Sequence, residues 1–367
     1  MIPTAHPSYF IQPTVVDLIR ERAVAAEKTG QLHPDQLSVI YSERWFNLFV
    51  PATYHGLALS LPEGLQIEEA LAWVDGSTGW TVTLCSGANW FIGFLQTQIA
   101  ETLFKNEEVC LAGSGKPSGT ATILQNGYEI SGSWNYATGA SHATAFTANC
   151  LLEKEGVIQQ HPDGSPLIRA FVFLKDEVKI YPDWNAFGMI ATSSHRFEVS
   201  HLRVGSERCV LIEGSKSNLP QSIYRFPFEA FAVATLSVNC SGMGCRFLQL
   251  CREVFLRSSS HHLLLPLEKA IQQLEAARTA FYTCLTASWE IFVKQNQISD
   301  ALLAQIMHTS RSLAATALRL SDELFPFCGM AAANPDTELN RVWRNLHTAS
   351  LHHLLNTASN LTNEGSC

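Results

Sequence analysis

The densest chemistry in the chain lies in Gly132-Ser133-Trp134-Asn135-Tyr136-Ala137-Thr138-Gly139. A strand entering a glycine-bracketed turn can offer a flat ligand an aromatic face, a hydroxyl and backbone N–H groups together. Strand residues alternate faces, so Trp134, Tyr136 and Thr138 are expected on one side. The indole would then pack on the ligand. The Thr138 hydroxyl, with backbone N–H groups around Ala137 and Gly139, would bond its edge. A Trp and a Tyr that only fill core between a sheet and helices would read the same way. The Thr138 methyl also narrows its rotamers.

A second set lies near the C-terminal end. Arg341, Asn345, Thr348 and His352 recur at helical spacing and form one polar stripe; Leu339, Trp343, Leu346, Ser350 and Leu354 form a different, mostly apolar one. Imidazole titrates near neutral pH, so His352 is the candidate for giving or taking a proton. His353 points about 100° away on a helix. A solvated face is the plain alternative for this stripe. Elsewhere, Asn89 and Trp90 follow a tryptophan-bearing helix, and Thr192 and Ser194 sit in a loop ahead of His195.

Composition bounds what these residues can serve. The 367-residue chain is 46% hydrophobic and only 16% charged, enough for a large core and suggestive of surface buried in an oligomer. Its net charge of −8 and the lack of a Lys/Arg cluster argue against nucleic acid or an anionic membrane as partner. The start, Met1-Ile2-Pro3-Thr4, has no basic region followed by an apolar core, so no secretory signal is expected. Ten cysteines occur without a Cys-x-x-Cys pair, as expected of buried free thiols in a reducing cytoplasm. No metal site is expected: Cys240, Cys245 and Cys251 lack ligand spacing to a His pair, and His261-His262 and His352-His353 are doublets that diverge on a helix. The apolar run from Phe226 to Cys251 carries Glu229, Asn239 and Arg246, so it reads as a bundle helix and not a membrane span. Gly113-Ser114-Gly115-Lys116 lacks phosphate-loop spacing, and no Gly-x-Gly-x-x-Gly nucleotide motif is visible.

The elements that must position these residues fall into three parts. Residues 1–107 read as helical, with segments from Pro13, from Leu65 to Val74, after the Asp75–Gly79 interruption, and from Gln98 to Phe104. Residues 108–213 read as an antiparallel sheet or small barrel, with Asn126-Gly127 marking a hairpin. Residues 214–367 read as an antiparallel four-helix bundle: Phe226–Arg257, Leu267–Gln295, Asp300–Phe325 and Glu338–Asn360. Ser299-Asp300 and Asp336-Thr337 are the caps expected for the last two. The fold class is α+β.

Four segments, in order, resemble the acyl-CoA dehydrogenase superfamily, and most closely its two-component flavin-dependent monooxygenases. They are Ala70–Trp80, the stretch from Ala112 through Phe146, Gly188-Met189-Ile190-Ala191-Thr192-Ser193-Ser194, and Arg341–His352. Thr138, Tyr136, Ser193 and Asn345 stand where that family usually has serine, phenylalanine, glycine and aspartate. The resemblance implies reduced FAD or FMN supplied by a separate reductase, dioxygen, and a small aromatic or heteroatom-bearing substrate. It implies flavin contacts from Trp134, Tyr136, Ala137, Thr138, Gly139, Thr192, Ser194 and Arg341, the last on a pyrophosphate unless it is a structural ion pair. It implies substrate contacts from Asn89, Trp90, Asn345 and His352. Thr138 and His352 would be catalytic, in a cytoplasmic dimer or tetramer. An acyl-CoA dehydrogenase with Asp336 or Glu338 as base, and a flavin- or ligand-binding member without chemistry, are the alternatives.

Overall fold

The computed structural model describes residues 5–258 and 260–356. Helices α1 (Pro13–Thr29), α2 (Pro34–Ser42), α3 (Leu61–Val74), α4 (Gly76–Asn89) and α5 (Thr97–Leu103) come first. Strands β1 (Leu111–Leu124), β2 (Gly127–Ala137), β3 (Ala145–Lys154), β4 (Val157–Ile158), β5 (Ile168–Leu174), β6 (Lys179–Tyr181), β7 (His195–Val204) and β8 (Cys209–Val210) follow. The chain then returns to helix in α6 (Phe228–Arg257), α7 (Leu264–Gln295), α8 (Asp300–Leu324), α9 (Met330–Ala333) and α10 (Glu338–Ser350). The order is helices, sheet, helices, as the α+β reading expected.

Local chemistry accounts for the boundaries. Pro13 and Pro34 occupy first helical turns, where a missing N–H costs nothing. Gly30, at φ 72°, ends α1. Asp75–Gly79 was expected to interrupt a helix, but the break is Asp75 alone. Extended at φ −156°, it accepts from Thr78 N at 2.9 Å and from the Thr78 hydroxyl at 2.8 Å, capping α4 at once. Ser299 and Thr337 cap α8 and α10 as expected. The last helix stops at Ser350 and not at Asn360, which lies outside the described residues. The Thr348 and Ser350 hydroxyls bond the Arg344 and His347 carbonyls there, competing with the backbone.

The strands form one sheet in the order β6-β7-β2-β1-β3-β5-β8, with β4 paired to β3. The hairpin at Asn126-Gly127 joins β1 and β2 as expected. The sheet is not wholly antiparallel: β1 and β3 run parallel. The chain reverses at the hairpin and again after β2, so β3 returns along the other edge of β1 in the direction of β1. One face buries Ile130, Trp134, Phe146, Phe171, Phe173 and Phe197.

Helix α6, the long apolar run, is the axis of the helical layer and packs against α3, α4, α7, α8 and α10. At Gly242 a Cβ would fall 2.2 Å from the Glu69 carbonyl oxygen, so only glycine lets α6 lie this close to α3. Beside this crossing, Glu69 accepts from Arg278 Nε at 2.8 Å and Nη2 at 2.9 Å, and from Tyr282 at 3.0 Å. Arg278 is also bonded to Glu275 and the Ala5 carbonyl. A buried ion pair survives when its remaining hydrogen-bond capacity is filled, as here. Its neighbour Glu68 has no cation among the described residues. One oxygen accepts from Ser86 at 3.0 Å and the other has no partner, so burial pushes its carboxyl up to about 8.

That raised value sets a sign. The folded protein holds the Glu68 proton more tightly than the unfolded chain, so this stability is present below pH 4.5 and lost as pH rises toward 8. Glu68→Gln removes the titration. Chemical denaturation of the variant should show a stability gain of a few kcal/mol over wild type at pH 8, shrinking to none near pH 4.5.

Candidate functional site

The turn after β2 does not have the expected shared face. In the pairing with β7, Trp134 lies opposite Phe197 and Ala137 opposite His195, so three steps along β2 match two along β7. That β-bulge breaks the two-residue alternation. Trp134 stays inside the sheet core with no exposed surface, stacked on Phe197 at 5.2 Å and donating from Nε1 to the Asn149 carbonyl at 2.9 Å. It is a core residue, which corrects its reading as a ligand platform. Tyr136 turns out instead and is 55% exposed. It meets Trp184 edge-on at 5.0 Å, and that indole donates to the Met189 carbonyl at 2.9 Å. Trp184 and the exposed Phe187 were missed, although the aromatic run Tyr181, Trp184, Phe187 just ahead of Gly188 was visible.

Two backbone donors of the turn are also engaged. Gly139 N donates to the Thr192 carbonyl at 2.9 Å and Ala140 N to the Ala137 carbonyl at 3.2 Å; Ala137 is fully buried. The hydroxyls remain. Thr138, Ser194 and Thr192 form a buried chain, with Thr138 Oγ1 2.9 Å from Ser194 Oγ, which is 2.7 Å from Thr192 Oγ1. Thr192 donates its proton to the Met189 carbonyl at 2.8 Å. With one proton per hydroxyl, Ser194 must then donate to Thr192, and Thr138 to Ser194. The Thr138 oxygen is left with lone pairs only, so toward any ligand it is an acceptor.

The same loop is fastened to the last helix. Asn345 Oδ1 accepts from Met189 N at 2.7 Å, Arg344 donates to the Phe187 carbonyl at 3.0 Å, and Arg344 pairs with Glu27 at 2.8 Å. A Cβ on Gly188 would lie 2.1 Å from the Arg344 carbonyl oxygen. The polar stripe is therefore not a solvated face: Arg341 and Asn345 are buried, Thr348 and His352 are half-buried, and the neighbouring Arg344 is buried as well. Asn345 acts here as a strut through Oδ1, while its Nδ2 is buried without a partner among the described residues. Ser193, at φ 42°, keeps its hydroxyl buried and without a partner.

The other expected site residues have partners of their own. Asn89 is buried with its amide committed: it donates to Asn47 Oδ1 at 2.7 Å and the Val109 carbonyl at 3.2 Å, and accepts from Leu111 N at 2.8 Å. Trp90 is core, stacked on Phe231 at 5.3 Å and bonded to the Ile223 carbonyl at 3.1 Å. Every side-chain polar atom they carry ties one local element to another. Arg341 Nε lies 3.9 Å from Asp75 Oδ1, the residue that breaks α3 from α4, which favours the ion-pair reading of that arginine. His352 follows α10 in a turn. Burial, then the neighbouring His353, pulls its imidazole down to about 4, so it is neutral near pH 7. Its Nδ1 accepts from Leu354 N at 3.3 Å, which puts the proton on Nε2.

Three comparisons bear on this arrangement. The family model for the acyl-CoA dehydrogenase C-terminal domain matches residues 263–357. The 3-HSA hydroxylase of Rhodococcus sp. RHA1 superposes with a TM-score of 0.88 at 19% identity over 95% of this chain and 93% of that one. The fold is acyl-CoA dehydrogenase-like. Another protein of this fold, XiaF from Streptomyces sp., in complex with FADH2 and glycerol, has a TM-score of 0.85 at 19% identity, covering 96% and 92% of the two chains. Among curated proteins, the indole-3-acetate monooxygenase of Pseudomonas putida is 23% identical over 92% of this chain and 88% of its own. The flavin-dependent monooxygenase oxygenase subunit HsaA of Mycobacterium tuberculosis is 23% identical over 91% and 88%. The acyl-CoA dehydrogenase fold is thus carried here by relatives that are flavin-dependent monooxygenases.

Two substitutions test the fastening. Gly188→Ala should destabilise the protein by about 2–3 kcal/mol, since backbone and not a flexible side chain blocks the Cβ. Ser193→Gly should stabilise it by about 1 kcal/mol by relieving a left-handed conformation and an unpaired hydroxyl. Denaturant midpoints at constant slope measure both.

Proposed function

We propose that this chain is the oxygenase component of a two-component flavin monooxygenase. It takes reduced FAD or FMN from a separate reductase and uses dioxygen to oxygenate a small aromatic or heteroatom-bearing molecule. The observation that carries this reading is the polarity of the Thr138–Ser194–Thr192 chain. Reduced flavin bears an N–H at N5, and an oxygen held as acceptor is its complement, whereas the N5 of oxidised flavin needs a donor. The match of curated monooxygenases along more than nine-tenths of the chain supports the same reading.

The residues present fit a flavin with a changed cast. The exposed Tyr136 and the half-buried Trp184 would supply the aromatic surface that Trp134 does not, and Thr138 the edge contact, steadied by Ser194 and Thr192. Bound reduced flavin supplies the electrons that activate dioxygen. The protein's share would be to offer Thr138 Oγ1 as acceptor to N5–H, to keep water out, and to offer a neutral imidazole, His352, whose Nε2–H would donate a hydrogen bond without adding charge. The carboxylates required by a dehydrogenase are poorly placed: Asp336 is exposed, and Arg246 grips Glu338 at 2.7 and 2.8 Å. The division at residues 107 and 213 belongs to this reading. So does a cytoplasmic dimer or tetramer, for which the free cysteines of the described residues and the exposed Phe327 and Met330 speak. Among the described residues no helix is long and apolar enough to cross a membrane.

Anaerobic titration with reduced and oxidised FAD and FMN is the test. Reduced flavin should bind at least tenfold more tightly, and Thr138→Val should weaken it about tenfold, the worth of one hydrogen bond, with little effect on oxidised flavin. Equal binding of both redox states would remove the argument from polarity. Binding of neither would leave the non-catalytic reading, and bleaching of bound oxidised flavin by an acyl-CoA would establish the dehydrogenase.

A further inference from the structure

Directly behind the turn, three soft donors meet that lie far apart in sequence. Cys85 is on α4, Cys110 immediately precedes β1, and His142 is in the turn between β2 and β3. One ligand atom from each lies within 4.8 Å of the other two. Both thiols are fully buried. Both ring nitrogens of His142 are shut off from solvent and have no hydrogen-bond partner. A buried imidazole with neither nitrogen satisfied is costly, and here its neighbours are two sulfurs, which are weak donors and acceptors. A cation that bonds one atom from each residue satisfies both sulfurs and one of the two ring nitrogens.

The surroundings hold the three donors in place. Asn89 lies one helical turn beyond Cys85, on the same face of α4. Its amide grips the Val109 carbonyl at 3.2 Å and Leu111 N at 2.8 Å, the residues on either side of Cys110. The Thr144 hydroxyl accepts from Cys110 N at 3.0 Å and donates to its carbonyl at 3.0 Å. His142 stacks on Phe46 at 5.5 Å with 15° between the planes, and its backbone N donates to the Gly139 carbonyl at 3.1 Å. Gly139, at φ 80°, leaves the space open; a Cβ there would lie 2.7 Å from Cys85 Sγ and 3.1 Å from His142 Nε2. These bonds fix the backbone that carries Cys110 and His142.

We propose that Cys85, Cys110 and His142 bind a thiophilic closed-shell cation, with Zn2+ as the type. Two thiolates and one imidazole nitrogen coordinate it, and one position stays open. Binding releases the two thiol protons, forms two metal–sulfur bonds and one metal–nitrogen bond, and changes no oxidation state. Soft donors exclude Mg2+ and Ca2+. Without the cation, Cys85 Sγ donates to the Thr138 carbonyl at 3.6 Å; binding removes that proton, and the turn is then tied to α4 through His142, the cation and Cys85.

The full chain, freed of metal by chelation and kept reduced, is titrated with Zn2+ and with Co2+ in the absence of flavin, so the outcome does not depend on the flavoenzyme reading. One equivalent per chain should bind, Co2+ should give thiolate charge-transfer absorption, and metal should raise the melting temperature. Cys110→Ser and His142→Gln should each weaken binding at least 100-fold. Cys251→Ala should change nothing, although it removes the other close sulfur pair, Cys251 and Cys328 at 3.5 Å. Should Cys110→Ser fail to fold, His142→Gln reads the same loss of affinity. Absence of stoichiometric binding, binding unaffected by His142→Gln, a charge-transfer band lost in Cys251→Ala, or a Cys85–Cys110 disulfide found by peptide mapping of the protein as purified would each overturn the proposal.

Discussion

The contact on which the rest depends is backbone against backbone. The loop from Phe187 to Ser194 lies on α10 so closely that Gly188 has no room for a methyl group against the Arg344 carbonyl. Asn345 and Arg344 bond this loop from the helix side. The loop in turn bonds the end of β2, through the Thr192 carbonyl to Gly139 and through Ser194 to Thr138. The sheet and the helical layer are therefore joined at the residues proposed to do chemistry. A hydroxyl chain is directional only when its far end is fixed, and the Met189 carbonyl, held by this contact, fixes it.

Charge is handled differently on the two sides of the joint. Deep between α3, α6 and α7, Glu69 and Arg278 are fully paired, and Glu68 is kept uncharged by burial. Around Thr138 the polar groups are hydroxyls and backbone amides. A reaction centre that handles dioxygen benefits from few mobile protons and little water, and neutral groups in a dry setting provide that. The arginines of α10 face Glu27 and Asp75, so they serve the packing of this helix against the first helices.

Sequence reading succeeded where local chemistry decides. The Asn126-Gly127 hairpin, the caps at Ser299 and Thr337, and the long α6 core helix all depend on neighbours within a few residues, and the structure has each of them. It failed where one added residue or a distant partner decides. The bulge before Ala137 turns Tyr136 outward and leaves Trp134 inside, which no period-two pattern contains. Asn89 and Trp90 read as site residues but are spent on the carbonyls and amides of other segments.

By itself the sequence determined the order of helix, sheet and helix, the place of the turn, and the residue types available there, because periodicity and capping are properties of short segments. Only the tertiary structure decided which of those residues face outward, which way the Thr138 hydroxyl points its proton, and that His352 is neutral. It alone brought Cys85, Cys110 and His142 to one point. Each of these depends on atoms contributed by segments tens of residues apart, and a linear pattern carries no record of such distances.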